Sequence, residues 1–123
     1  MALGTVLLVD DEPSVRAFVR RTLEYAGYAV IEARDPFDAL RIMDNTAGTI
    51  DLVLTDIVMP GMSGRLMADR FSARYPGVRM LFMSGNAELV RITRLAEENE
   101  RRILSKPFTS ATLIERVGEA LAA

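Results

Sequence analysis

The chain is predicted to fold as an α/β domain, a doubly wound parallel sheet of five strands accompanied by five helices. Three observations predict this. Short apolar stretches alternate with amphipathic ones from end to end; stretches such as Val6-Leu7-Leu8-Val9 and Leu52-Val53-Leu54 are unbroken rather than alternating; and turn residues punctuate the boundaries. An unbroken apolar run marks a strand buried on both faces, the kind found in parallel sheets. Strands and helices taking turns then imply right-handed crossovers covering both faces.

Taken in order, residues 5–9 form the first strand and end in Asp10-Asp11-Glu12. From Ser14 the apolar residues Val15, Phe18, Val19 and Leu23 recur at helical spacing, and Gly27 stops that helix. Residues 28–33 are the second strand. Asp35-Pro36 supplies a cap and an N1 proline for a helix running through Leu40 and Met43 toward Asn45. The third strand, residues 51–55, leads straight into Asp56, and Pro60, Gly61 and Gly64 forbid its continuation. Ser63 is placed to cap a helix over residues 65–75, which Pro76-Gly77 ends. Residues 79–83 form the fourth strand, followed by Ser84-Gly85-Asn86 and a helix over about residues 87–98. A short fifth strand covers 102–105, and after Pro107 either Thr109 or Ser110 caps a last helix reaching Leu121.

The whole chain sets further bounds. Its 123 residues suit one domain spanning 1–123, and half of them are hydrophobic, enough for a core without staples. No run approaches a membrane span, and the first nine residues are too short and uncharged for a signal peptide. With no cysteine there is neither a disulfide framework nor thiolate chemistry, so a cytoplasmic setting is expected. A net charge of −2 gives no electrostatic case for nucleic acid binding. The absence of histidine excludes a histidine base, ligand or phosphohistidine within the chain. Of the fifteen basic residues only Lys106 is a lysine. A compact ammonium and a planar guanidinium are not interchangeable in a tight site.

The commonest strand order for so small a domain is 2-1-3-4-5, the flavodoxin-like order, in which strands 1 and 3 are neighbours. It brings Asp10, Asp11 and Asp56 to one end of the sheet, with Ser84 and Lys106 at the same end of strands 4 and 5. Each has a bland explanation alone. The acidic run favours a helix N-terminus, Ser84 could cap a helix (although Asn86 is better placed), and Lys106 could be a solvated residue before proline. Together they suit a narrow chemistry. Crowded carboxylates disfavour one another's ionisation, and a hard divalent cation such as Mg²⁺ relieves this while leaving places for phosphoryl oxygens. A lysine and a serine hydroxyl can hold the remaining oxygens, and Asp56 can serve as an in-line nucleophile forming an acyl phosphate.

Four motifs carry a specific likeness: Leu8-Val9-Asp10-Asp11-Glu12, the run from Thr55-Asp56 through Met59-Pro60-Gly61-Met62-Ser63-Gly64, Ser84-Gly85, and Lys106-Pro107-Phe108. Through them the chain resembles, over essentially its whole length, the response-regulator receiver domain of two-component signalling. The resemblance implies Asp56 as phosphoacceptor and Asp11 as a direct Mg²⁺ ligand, with Asp10 acting mainly through water. It also implies coordination by the backbone carbonyl of Val58, and phosphoryl contacts from Ser84 and from Lys106 across a usually cis Lys106-Pro107 bond. The donor would be a histidine kinase or a histidine phosphotransfer domain, and the chain a monomer or weak dimer. It would be a signalling domain rather than an enzyme. Slow self-dephosphorylation is expected because Val58, two residues after Asp56, offers no polar group to orient a water and Asn86, two after Ser84, could do so only weakly.

One position departs from the family pattern: Ile103 stands where a tyrosine or phenylalanine commonly acts as a rotamer switch. Isoleucine is stiff at χ1, so the response is expected to travel through residues 84–98 to a surface with Arg91, Arg94 and Arg102. Nothing after Ala123 supplies an output domain, which leaves a stand-alone receiver or a piece of a longer protein. The motifs around Met59 and Phe82 look most like receivers fused behind a histidine kinase. Two other classes stay open. A Mg²⁺-dependent phosphatase with an aspartyl nucleophile typically has a second aspartate two residues on, where this chain has Val58. An interaction module that never turns over phosphate would not need the complete set of Asp10, Asp11, Asp56 and Lys106.

Overall fold

The computed structural model describes residues 3–46, 49–57, 64–85 and 103–122. Five parallel strands form one sheet: β1 (Thr5–Val9), β2 (Ala29–Ala33), β3 (Leu52–Asp56), β4 (Arg79–Ser84) and β5 (Ile103–Ser105). Their order is β2-β1-β3-β4-β5, as expected. Four helices lie among the described residues: α1 (Pro13–Tyr25), α2 (Pro36–Asn45), α3 (Gly64–Arg74) and α4 (Ser110–Ala122). The helix expected over 87–98 lies outside them, as do Val58, Ser63, Asn86, Arg91, Arg94 and Arg102. Among the described residues, no helix is long and apolar enough to cross a membrane.

Because successive strand residues point to opposite faces, each central strand feeds two cores. Leu7, Val9, Val53, Phe82 and Ile103 pack with Ala39 and Met43 of α2 and Phe71 of α3. Val6, Leu8, Leu52, Leu54, Leu81 and Leu104 pack with Val19 and Leu23 of α1 and Leu113 and Val117 of α4. Every residue of β3 is buried, which is why its sequence is unbroken rather than alternating.

The helix ends follow their sequence signals closely. Asp35 caps α2, its side chain accepting from the Asp38 N–H at 2.8 Å, with Pro36 in the first turn. Thr109 serves α4, its Oγ1 accepting from the Thr112 N–H at 3.1 Å. At the end of α1, Gly27 takes φ 106°. The Tyr28 N–H reaches the Leu23 carbonyl at 3.0 Å and the Gly27 N–H reaches the Glu24 carbonyl at 3.1 Å, the paired bonds of a Schellman turn. A left-handed φ there is costly for any residue with a Cβ. Helix α1 begins one residue earlier than expected, at Pro13, whose missing N–H costs nothing at a helix start. Asp51 precedes β3 rather than opening it. Its Oδ2 accepts from the Thr5 N–H at 2.8 Å, and its own N–H donates to the Thr5 carbonyl at 2.9 Å, tying the starts of β1 and β3 together.

Candidate acidic phosphoacceptor site

The ladder registers put the carboxyl ends of the central strands side by side. Val9 pairs with Thr55 across β1 and β3, Asp56 with Met83 across β3 and β4, and Ser84 with Ser105 across β4 and β5. The residues next in sequence therefore emerge at one end of the sheet. Asp10 follows β1, Asp56 closes β3, Ser84 closes β4 and Lys106 follows β5.

Asp10, Asp11 and Asp56 each offer a carboxylate oxygen, and the three oxygens lie within 4.8 Å of one another. Asp10 is fully buried, Asp56 is 7% exposed, and Asp11 faces solvent. Lys106 Nζ sits 3.2 Å from Asp56 Oδ2 and 3.6 Å from Asp10 Oδ2, so one ammonium spans both buried acids. The Lys106-Pro107 bond is cis.

Asp10 is held at several points. Its N–H donates to the Ala33 carbonyl at 3.3 Å, and its Oδ1 accepts from the Glu12 N–H at 2.8 Å, closing a turn that leaves Asp11 facing outward. Its Oδ2 is buried without a hydrogen-bond partner. Burial pushes the Asp10 carboxyl above the ordinary carboxylate range. The Glu12 N–H and Lys106 oppose that shift, and Asp11 and Glu12 add to it. A buried oxygen without a donor, an acid raised by desolvation, and two further carboxylate oxygens close by make a donor set that suits a hard, oxygen-seeking cation such as Mg²⁺.

Ser84 is fully buried, and its Oγ donates to the Gly85 carbonyl at 2.9 Å. Of the residues singled out in the sequence, Asp10, Asp11, Asp56 and Lys106 are thus brought together. Ser84 sits at the adjoining strand end with its hydroxyl turned to the backbone, and Val58 lies outside the described residues. Arg16 carries no motif that marks it in the sequence. Its Nη1 donates to the Asp10 carbonyl at 2.7 Å, and its only sequence signal is a place at the end of the first turn of α1, on the same stripe as Arg20 and Glu24.

Comparison with known proteins assigns the family. The family model described as the response regulator receiver domain matches residues 6–118. The chain belongs to this family. Over 118 residues the receiver is 38% identical to the sensor kinase CckA of Brucella abortus, a match covering 96% of this chain and 12% of that protein. It is 30% identical to the response regulator receiver protein CpdR of the same organism, covering 96% of this chain and 97% of that one. A crystal structure of a response regulator receiver domain protein from Clostridium thermocellum superposes with a TM-score of 0.88 at 27% identity, covering 98% of this chain and 95% of that chain. The receiver thus spans about an eighth of one relative and nearly all of another. Receivers are components of two-component signalling, consistent with a phosphoacceptor role.

Proposed function

We propose that this receiver accepts a phosphoryl group on Asp56 from a phosphohistidine carried by a histidine kinase or histidine phosphotransfer domain, with Mg²⁺ held by Asp10, Asp11, Asp56 and the Val58 carbonyl. The supporting observation is the meeting of three carboxylate oxygens within 4.8 Å, beside a lysine 3.2 Å from Asp56. Mg²⁺, when bound, neutralises charge building on the transferred phosphoryl oxygens. An Asp56 oxygen forms the new O–P bond as the P–N bond of the donor breaks, and the departing imidazole nitrogen takes up a proton. Lys106 takes the phosphoryl charge that Asp56 presents, and Ser84 turns from the Gly85 carbonyl toward it. A cytoplasmic setting, and a monomer or weak dimer, go with this reading.

Incubation with acetyl phosphate and Mg²⁺ followed by intact mass tests it. A stable gain of one phosphoryl group is expected. Steady release of inorganic phosphate without accumulation would point to a phosphatase, and no change at all to a binding module. The same experiment times the loss of the group. Val58, two residues after Asp56, has no polar side chain to orient an attacking water, so the expected half-life is minutes or longer. A half-life of seconds in Mg²⁺ contradicts it.

Ile103 is 6% exposed and packs in the core with Phe82 and Phe71. It is a buried core side chain, unlike a large ring that swings between core and solvent. Ile103→Ala should cost about 2–4 kcal/mol of stability while leaving the response to beryllofluoride intact. We propose that this response runs through residues 84–98 to a surface shared with β5 and α4. Amide exchange with and without the mimic checks this. Loss of the exchange response in a variant that still binds beryllofluoride would make Ile103 a switch.

A further inference from the structure

We propose that Arg16 is a positioning residue for the metal-binding turn, acting through the backbone of Asp10; this rests on the Mg²⁺-dependent reading above. Asp10 stands one residue past the end of β1, where its carbonyl has left the sheet ladder and needs another donor. Arg16 Nη1 supplies it at 2.7 Å. The guanidinium is in turn fixed from its other side: Nε lies 3.4 Å from Glu32 Oε1. Glu32 belongs to β2, and its second oxygen takes Arg20 Nη1 at 2.6 Å. Arg20 closes the chain on Glu24 at 3.3 Å.

The consequence is directional. Asp10 is gripped by Ala33 at its N–H and by Arg16 at its carbonyl, so its peptide planes cannot rotate freely and its carboxylate direction is set. The Glu12 N–H on Asp10 Oδ1 then passes that orientation to Asp11. Partners that orient metal ligands typically alter affinity by about tenfold or more. Arginine is required because its fork reaches the carbonyl and Glu32 together; a lysine ammonium can serve one and not both. The rival reading is a pair of ordinary ion pairs on a helix face, worth little to anything but local stability.

Calorimetric titration of Mg²⁺ into the wild type, Arg16→Met, Arg16→Lys and Glu32→Gln separates the two, together with melting in EDTA and metal-free amide exchange at Glu12. Arg16→Met should raise the Mg²⁺ Kd about tenfold, with Arg16→Lys between it and wild type and Glu32→Gln milder. Saturating Mg²⁺ should restore the labelling rate by acetyl phosphate, and Glu12 should exchange faster in Arg16→Met even without metal. An unchanged Kd beside a lowered melting temperature makes Arg16 merely structural and overturns the proposal. A wild type that binds no Mg²⁺ instead sinks the functional reading itself, and unchanged Glu12 exchange in Arg16→Met then overturns the positioning role separately.

Discussion

Asp56→Asn should abolish phosphoryl incorporation from acetyl phosphate, leaving the protein at its unmodified mass even after long incubation in Mg²⁺. The argument is one of place and chemistry together. Asp56 is the last residue of a strand buried along its whole length, so its carboxylate is delivered to a fixed point at the sheet end. It also has the cation 3.2 Å from one oxygen and two further acids beside it. An amide is nearly isosteric and keeps a carbonyl oxygen, but it has no anionic oxygen to form the acyl phosphate. Asp11 is exposed and Asp10 is raised by burial, and neither is expected to take the group instead. Chelation with EDTA should have the same effect on wild type as the substitution. Labelling that persists in Asp56→Asn would remove Asp56 as the acceptor, and peptide mapping of the product would show which acid replaced it.

The fold was legible because its strongest signals were local. Runs such as Leu52-Val53-Leu54 can be satisfied only by burial on both faces, and Gly27, Asp35-Pro36 and Thr109 mark helix ends through backbone demands that do not depend on the rest of the chain. The site was legible for a related reason. In a parallel sheet the residues just past the strands must converge, so Asp10, Asp56 and Lys106 could be grouped from topology alone. The motif resemblance then gave them roles.

What stayed hidden was whatever depends on tertiary reach. Asp51 reads as the opening residue of a strand, yet it stands before β3 and caps the start of β1 from 46 positions away. Arg16 reads as one more polar residue on an amphipathic helix. Nothing in its spacing tells that its side chain turns back to the Asp10 carbonyl instead of outward to solvent. Ser84 stands out in sequence by type and place, but whether its hydroxyl faces the acids or the Gly85 carbonyl is a rotamer choice that sequence does not encode. Ile103 departs from the family pattern in sequence, and only its burial among Phe82 and Phe71 gives it a positive role, as packing.

Lys106→Met should destabilise the metal-free protein most at neutral pH and least in acid. Lys106 is the cation that Asp10 and Asp56 share, and its loss leaves two buried carboxylates facing each other. Breaking a fully buried pair costs about 3–5 kcal/mol; Lys106 keeps 27% of its side-chain exposure, so a loss on the order of 2 kcal/mol is expected. Burial already raises Asp10 above its unfolded value, and Lys106 is one of the groups holding it down. Without the lysine, Asp10 rises further. An acid whose folded pKa exceeds its unfolded pKa opposes folding when ionised. The cost is therefore present in full above the folded pKa, shrinks as pH falls below it, and is gone below the unfolded pKa. The stability gap to wild type should close in acid, and saturating Mg²⁺ at neutral pH should close it as well by supplying the missing charge. Lys106→Arg keeps the charge, so it should retain most of the stability yet impair the phosphorylation response, because a planar fork does not fit where a compact ammonium stood. Urea unfolding of the three proteins at neutral and acidic pH, with and without Mg²⁺, measures the stabilities, and intact mass after acetyl phosphate measures the response. A gap that ignores both pH and metal would mean that Lys106 contributes packing rather than charge.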